Sequence, residues 1–387
     1  MSGFRDDARA WLAANCPASM RTPIAGEREW VWGGRRATFF SDDARVWLER
    51  MAERGWIAPA WPRKYGGADL SPEDTAILDE EMRRIGARLP LKSFGLWMLA
   101  PVLFEFGSEE QRLEHLPPIA RGRIRWCQGY SEPGAGSDLA GLQTRAVLDG
   151  DSYVVDGQKI WTSHADQADW MFCLVRTDAR APKHEGISFL LIDMATPGIA
   201  ARPIRLISGA SPFCETFFES VRVPAKNLVG RAGQGWTIAK ALLKHERALI
   251  ANARDAATAE EEPLETTARR YGALGDPILR DRVTQASLDG LCNTLALKRS
   301  AELARAGAEI SMFKYYGTEL SKRRRELRVE LAGFQGLGWE APGFSTAELE
   351  WVREWLRSRA SSIEGGTSEI QLNIIARRVL GLPDGGK

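Results

Sequence analysis

A glutamate within an apolar helical stripe is the first residue of this sequence that could do chemistry. Glu246 follows Trp236 along a helical pattern, and its neighbours three and four positions away are Leu242, Leu243, Leu249 and Ile250. A carboxylate in such surroundings costs free energy unless it is paired or used. Burial raises the pKa of a carboxyl group toward neutrality, which suits a base that removes a proton from carbon. The pattern is compatible with a catalytic base and equally with a buried salt bridge.

Two segments in the middle of the chain could bind a flat or anionic ligand. Residues 131–138 read S-E-P-G-A-G-S-D, a loop whose backbone N–H groups can approach a ligand closely because small residues separate the hydroxyl residues. Residues 157–163 read G-Q-K-I-W-T-S and would bring an indole and two hydroxyls to one edge of a sheet. Taken singly, the first is also compatible with an ordinary turn and Trp161 with a core residue.

A third polar segment lies near the carboxyl end, at Ser361–Gln371. Gly365 and Gly366 would end one helix, and Ser368 with Gln371 would form a capping box that starts the next. The amino end of a helix can receive a phosphate or ribose, although a plain turn between helices fits the same residues.

Periodicity divides the elements that must position these residues into three regions. Apolar residues recur at three and four positions over 1–122 and again over 231–387, which predicts helical domains. Residues 123–230 have strand-like runs, among them 170–175 and 187–192, with Asp149-Gly150 and Asp156-Gly157 as predicted hairpin turns. Ser71 should cap a helix. The fold class is α+β and mostly helical, with a small antiparallel β domain between two helical ones.

Composition argues against several classes of function. Lysine and arginine total 52 against 51 acidic residues, so a net charge of +1 provides no general field for nucleic acid or an anionic membrane. The five cysteines include no C-x-x-C pair, which argues against a metal site and favours a reducing cytoplasm. No stretch approaches the roughly 18 apolar residues of a membrane helix, and the amino terminus has no apolar leader. We therefore expect a cytoplasmic small-molecule enzyme.

Taken together and in order, these segments resemble the acyl-CoA dehydrogenase family along essentially the whole chain. The resemblance includes W-P-R-K-Y-G-G at 61–67, S-E-P-G-A-G-S-D, K-I-W-T-S, V-R-V-P at 221–224, and G-G-T-S-E-I-Q followed by I-A-R-R at 375–378. It implies a helical domain, a β-barrel-like middle domain and a C-terminal four-helix bundle. It further implies FAD as cofactor, an acyl-CoA substrate, an electron-transfer flavoprotein as acceptor, and a homotetramer or homodimer.

The resemblance also assigns roles to residues. Ser137 and Arg247 would contact the substrate. The contacts to FAD would come from Gln128, Tyr130, Ser131, Ser137, Trp161, Ser163, Thr367 and Glu369.

In the mechanism that the resemblance implies, a base takes the α proton while the β hydrogen leaves as hydride to flavin N5. An FAD hydroxyl and the backbone N–H of Gly365 would hold the thioester carbonyl. Many members carry the base directly before the G-T of the last motif, where this chain has Gly365. A branch uses a glutamate on the first bundle helix instead, and Glu246 beside Arg247 matches it, with Glu364 as the second candidate.

Two departures from the family pattern affect the adenine end of the FAD site. The chain has R-R-Y-G at 269–272 in place of R-x-x-F-G, and A-G-F-Q-G-L-G-W at 332–339 in place of Q-x-x-G-G-x-G-Y. Such changes are similar to those of members that act on bulky or polycyclic acyl groups, some of which are two-chain heterotetramers. Two alternatives follow, a partner subunit that scaffolds a catalytic sister chain and a flavin oxidase or monooxygenase on the same fold. The motifs do not define the acyl group.

Overall fold

The computed structural model describes residues 2–24, 26–243, 262–302, 310–340 and 342–383. These residues form two compact units. The first contains residues 2–204 and 212–243, and the second contains residues 205–211 and 262–383. Within the described ranges, no helix is both long and apolar enough to cross a bilayer.

The first unit opens with helices. They are α1 (Ser2–Asn15), α2 (Asp42–Glu53), α3 (Pro72–Arg84), a π-helical turn (Gly95–Leu99) that leads into α4 (Ala100–Phe106), and α5 (Glu109–Ala120). Serine hydroxyls cap the starts of α2, α3 and α5; the predicted cap at Ser71 is confirmed, since its Oγ accepts a bond from the backbone N of Asp74 over 3.0 Å. Trp47 and Leu12 are fully buried where α1, α2 and α3 pack.

A buried glutamate joins α1 to α3. The carboxylate of Glu81 accepts hydrogen bonds from Arg9 (2.8 and 3.1 Å), Arg84 (2.6 Å) and Arg5 (3.3 Å). Only 2% of its side chain is exposed, whereas the arginines reach solvent. Hydrogen bonds from Arg9 and Arg84 lower the pKa of Glu81 to about 2. The ionised carboxylate is therefore the form that the fold selects.

A strongly curled seven-stranded sheet follows the helices. Its strands are β1 (Trp126–Gly129), β2 (Arg145–Asp149), β3 (Ser152–Ser163), β4 (Trp170–Arg176), β5 (Ile187–Asp193), β6 (Ile199–Ile204) and β7 (Phe213–Pro224). The order is β1-β4-β2-β3-β7-β6, and β5 pairs with β4. The runs predicted at 170–175 and 187–192 are β4 and β5, which pair in antiparallel register.

The sheet departs from the sequence predictions in two places. β1 pairs with β4 in parallel, so the sheet is not purely antiparallel. Asp156-Gly157 is not a turn but part of β3, at a register shift against β7. Gly157 has φ +145°, and a Cβ there would stand 2.7 Å from the Cα of Thr144. A bulge with no room for a side chain therefore replaces the predicted turn.

The first unit ends with the helix α6, which begins at residue 235 and is described to residue 243. The second unit is helical. The helices α7 (Leu264–Arg270), α8 (Pro277–Glu302), α9 (Ile310–Leu331), α10 (Thr346–Ser358) and α11 (Ser368–Ile374) belong to the second, and a π-helical turn (Ile375–Val379) ends it. The helix α9 packs against α7, α8, α10 and α11. The predicted fold class, with a β domain between helical regions, is confirmed.

The carboxylate of Glu81 should make the stability of the first unit depend on pH. Since its pKa is about 2 in the folded chain and about 4.3 in an unfolded one, its contribution is complete above about pH 5 and disappears as the pH falls toward 2. We expect Glu81→Gln to lower the free energy of unfolding by about 1 to 3 kcal/mol at pH 7. Urea unfolding followed by circular dichroism at pH 7 and pH 3 measures the difference.

Glu80→Gln is the matched control, because Glu80 pairs with Arg5 through a half-exposed side chain. It should change the midpoint little at either pH. A loss for Glu81→Gln that is the same at pH 3 and pH 7 would contradict the assignment.

Candidate active site

A buried ion pair joins the S-E-P-G-A-G-S-D loop to the K-I-W-T-S segment. The Nζ of Lys159 donates to Oε1 of Glu132 over 2.8 Å and to the backbone carbonyl of Tyr130 over 3.1 Å. The Lys159 side chain is fully buried and that of Glu132 is 7% exposed. The two sequence segments are thus parts of one rigid structure.

Backbone groups complete the bonding of this carboxylate. The oxygens of Glu132 also accept bonds from the backbone N–H groups of Gln143 (2.6 Å) and Thr144 (2.9 Å). Burial acts to raise the pKa of Glu132, but the Lys159 charge and these bonds outweigh it and leave the pKa below the ordinary value. Because the carboxylate is ionised and fully bonded, it positions the loop and is unsuited to act as a base.

The loop itself is fixed at its base and open at its tip. The backbone carbonyl of Ser131 accepts a bond from the N–H of Ile160 over 2.9 Å, and Glu132 and Ala135 exchange two backbone bonds of 3.0 Å each. At Gly134 and Gly136, no atom of the described chain lies within 4 Å of where a Cβ would stand. A flat or anionic group can therefore approach the backbone of the loop closely.

Trp161 lies on strained backbone beside this loop. Its φ is +60°, a left-handed conformation that tryptophan seldom adopts, and it falls in the register shift of β3 between Lys159 and Thr162. The indole is 53% exposed and meets the ring of Phe213 edge-on, with 6.2 Å between ring centroids. Strain of this kind persists where the surrounding structure enforces it, often at a binding site. The bulge turns the indole outward rather than into the core.

The other residues of this unit that the resemblance assigns to FAD differ in their burial and contacts. Gln128 is half-buried on β1, and its Nε2 is a buried donor for which no acceptor lies within the described part of the chain. Ser163 ends β3 opposite Phe213, and Ser137 is exposed at the loop tip. Tyr130 packs its ring in the core against Phe172 and Phe189, so the carbonyl that binds Lys159 is its evident contribution here.

These features fit a flavin ring. The isoalloxazine of FAD is flat and has a polar edge that carries acceptors, which matches an exposed indole, an open glycine loop and an unsatisfied buried amide donor. All three lie in the first unit, and the Glu132–Lys159 pair joins the loop to the segment that carries the indole.

The C-terminal motif lies in the second unit. Gly365 and Gly366 have φ of +63° and +90° and separate α10 and its following turn from α11. The predicted capping box is wrong by one residue, because the N-cap is Thr367, whose Oγ1 accepts from the N–H of Ile370 over 3.2 Å. Glu369 is exposed in the first turn of α11. A hydrogen bond from the backbone N–H of Glu369 itself, and a second from the Thr367 hydroxyl, lower the pKa of the Glu369 carboxyl group.

Of the two candidates for the base, the structure describes only Glu364. Glu246 and its neighbour Arg247 lie outside the described residues. Glu364 is exposed and forms an ion pair with Arg357 over 2.7 Å. An exposed carboxylate held by an arginine lacks the desolvation that prepares a carboxyl group to take a proton from carbon.

The two altered motifs of the second unit make contacts within it. Arg270 pairs with Glu262, and the Tyr271 hydroxyl donates to Glu348 over 2.5 Å. Phe334 is 76% exposed and stacks on Phe344 with 6.1 Å between centroids.

Family models cover nearly the whole chain. Residues 4–123 match the N-terminal domain of acyl-CoA dehydrogenases, residues 127–221 the middle domain and residues 233–380 the C-terminal domain. The chain belongs to the acyl-CoA dehydrogenase family. Members of this family are oxidoreductases, and the chain is an enzyme of that class.

Named relatives and solved structures extend the same result. The chain is 38% identical to acyl-CoA dehydrogenase IpdE1 of Mycobacterium tuberculosis (strain ATCC 25618 / H37Rv), over 98% of this chain and 97% of that protein. It resembles the structure of the Tcur3481-Tcur3483 steroid ACAD with a TM-score of 0.76 at 31% identity, covering 99% and 97% of the two chains. The ChsE4-ChsE5 complex from Mycobacterium tuberculosis gives a TM-score of 0.72 at 28% identity, covering 99% and 98%.

Sequence reasoning named both motifs of this acyl-CoA dehydrogenase but missed the ion pair that joins them. Glu132 and Lys159 each stood inside a quoted motif without a role. The available signal was a lysine in a strand that is otherwise largely apolar on its buried side, which requires a buried partner.

We expect Lys159→Met to lower the free energy of unfolding by about 3 to 5 kcal/mol, because it leaves the Glu132 carboxylate buried without its charge partner. Lys183→Met is the matched control, since Lys183 pairs with Asp138 on the exposed side of the same loop. Urea unfolding of the two variants measures the difference. Adding Glu132→Gln to Lys159→Met should recover part of the loss, and equal losses for Lys159→Met and Lys183→Met would refute the role of the pair.

Proposed function

We propose that this acyl-CoA dehydrogenase binds FAD and oxidises an acyl-CoA thioester to the 2-enoyl-CoA. The observation that carries the proposal is the ion pair that joins the glycine loop to the segment of Trp161, together with the exposed indole of that segment and the open backbone of that loop. Gln128 adds a buried donor without an acceptor within the described residues.

The family resemblance assigns the contacts to FAD to eight residues. The contacts to the ring system, ribose and pyrophosphate would be made by Gln128, Tyr130, Ser131, Ser137, Trp161, Ser163, Thr367 and Glu369. When bound, FAD would supply the redox chemistry, which is acceptance of the β hydrogen as hydride at N5 and onward transfer of the electrons to an electron-transfer flavoprotein.

The protein groups prepare the substrate for that transfer. Glu246 takes the α proton, and the backbone N–H of Gly365 donates to the thioester carbonyl as the carbonyl gains enolate character. Loss of one such donor typically costs roughly 2.7 to 4 kcal/mol of barrier. Arg247 and Ser137 orient the thioester. The exposed ion pair of Glu364 with Arg357 supports Glu246 over Glu364 as the base.

We infer that the acyl group is bulky and carries rings. The support is the similarity over nearly the full chain to a protein named a steroid ACAD, together with the changed adenine-end motifs.

We propose that the chain forms an oligomer. Leu288, Leu291 and Leu295 lie on one face of α8 and are each more than half exposed, a spacing that suits packing against another chain. A homotetramer or homodimer fits this face. The relative described as the ChsE4-ChsE5 complex makes a heterotetramer with a sister chain the alternative.

All five cysteines are free thiols, which supports a cytoplasmic location.

The assignment of the base is tested by two conservative variants. Glu246→Gln should retain FAD and bind the thioester but reduce the flavin at least about 100-fold more slowly, because the α proton has no acceptor. Glu364→Gln should reduce the flavin at nearly the wild-type rate. Anaerobic stopped-flow absorbance after mixing with substrate measures both rates, and a dead Glu364→Gln beside an active Glu246→Gln would reverse the assignment.

A further inference from the structure

A cavity in the first unit is lined by none of the residues assigned to FAD or substrate. It has a volume of about 480 Å³ and lies between the loop 28–38, Arg125 ahead of β1, and the segment 164–167 that follows β3. This volume falls within the range of small-molecule sites. Its lining residues are therefore distinct from those assigned to the proposed dehydrogenation.

The walls of this cavity are aromatic. Trp30, Trp32 and His164 line it, and the rings of Trp32 and His164 stand 4.8 Å apart between centroids. The Nζ of Lys92 lies 4.3 Å from the Trp30 ring and 5.0 Å from the Trp32 ring. These contacts hold the indoles as rigid faces against which a flat ligand can stack.

An incompletely bonded arginine forms part of the wall. Arg125 is only 8% exposed, and its guanidinium lies 4.8 Å from the centre of the Trp32 ring. Its Nη1 donates to Gln167 over 2.8 Å, whereas its buried Nη2 has no hydrogen-bond acceptor within the described residues. A buried charged donor costs free energy unless an acceptor reaches it, and a water or an anion can supply that acceptor.

Nearby carboxylates do not fill this role. Asp169 accepts instead from the backbone N–H groups of Arg125 and Arg35, over 2.9 and 2.8 Å. Asp166 accepts from Cys214 and from the amide of Gln167. Burial, opposed most by the charge of Asp166, lowers the pKa of Arg125 to about 10, well above physiological pH. The guanidinium remains charged.

Two further cations stand where the cavity reaches solvent. Arg28 and Arg36 both line the cavity and are exposed, and Arg36 is fixed by a bond to the backbone carbonyl of Asp166 over 3.1 Å. Three arginines thus converge on one cavity with aromatic walls. The guanidinium group suits the oxygens of carboxylate and phosphate, with which it forms charge-assisted hydrogen bonds.

We propose that this cavity binds an oxyanion attached to a flat ring. The oxyanion, a carboxylate or a phosphate, would accept the free N–H of Arg125, and the ring would lie against Trp30 and Trp32. Arg36 would assist from the rim.

Four probes, three of which share a naphthalene ring, separate the parts of the proposal. They are 2-naphthoate, 2-naphthyl phosphate, the neutral 2-naphthalenemethanol and inorganic phosphate. Each is titrated by isothermal calorimetry into the purified full-length protein with its cofactor, while the flavin spectrum is recorded in parallel. At least one ring oxyanion should bind at least about tenfold more tightly than both the neutral ring and inorganic phosphate, and the tighter of the two ring oxyanions identifies the group. Because the site is separate from the flavin, that binding should leave the flavin spectrum unchanged.

Substitutions locate the binding. Arg125→Gln should weaken the ring oxyanion about 10- to 100-fold, the usual effect of losing a charge-assisted bond. The exposed Arg36→Gln should weaken it about two- to fivefold and keeps the test decisive if Arg125→Gln does not fold. Arg123→Gln, an exposed arginine two residues away that does not line the cavity, should bind as the wild type does.

Several results would overturn the proposal. Two concern the probes: neither ring oxyanion binds, or the neutral ring binds with equal affinity. The third concerns the variants: the affinity is unchanged in Arg36→Gln, while Arg125→Gln either also keeps its affinity or does not fold. A flavin spectrum that shifts in step with binding would place the probe in the dehydrogenase site and would equally refute a separate cavity.

Discussion

The fully buried charge of Lys159 is the constraint on which the candidate site depends. An ammonium group cannot leave water without a partner, and here the Glu132 carboxylate, itself held by two backbone N–H groups, supplies it. The strand that carries Lys159 also carries Trp161, and the loop that carries Glu132 also carries Gly134 and Gly136. By satisfying one charge, the fold therefore fixes the separation of an indole and an open backbone loop. A flat cofactor would meet both without reorganisation of either.

Three buried charges in the first unit show three ways in which a fold can accommodate a charge. Glu81 is surrounded by arginines that reach solvent, which stabilises its ionised form at neutral pH. Glu132 is saturated by one lysine and the backbone, which gives it a positioning role. Arg125 lines an aromatic cavity; its Nη1 donates to Gln167, and its buried Nη2 has no acceptor within the described residues. Only the last arrangement requires something from outside the described chain.

The sequence predicted elements whose signals are local. Ser71 was recognised as a cap, and β4 and β5 as strands, because hydroxyl chemistry and alternation are properties of a few adjacent residues. The parallel pairing of β1 with β4 was not predictable in this way, since its partners are 44 residues apart in register. Asp156-Gly157 looked like a turn because both a turn and a bulge use glycine for its backbone freedom. Only the approach of Thr144 distinguishes them. The motifs of the candidate site could be named from the sequence, and Lys159 signalled the need for a buried partner, but Glu132 could not be identified as that partner because the contact spans 27 residues.

The central claim, that this chain is by itself a flavin-dependent acyl-CoA dehydrogenase, is tested most directly by an anaerobic absorbance titration of the chain expressed alone. Acyl-CoA thioesters of graded size, from short linear to ring-bearing, are added while the visible band of oxidised flavin is followed. If the chain is a complete dehydrogenase, the protein is yellow and its band is bleached, most strongly by the ring-bearing thioesters. A colourless protein that no thioester alters would contradict it and favour a partner subunit that requires a catalytic sister chain.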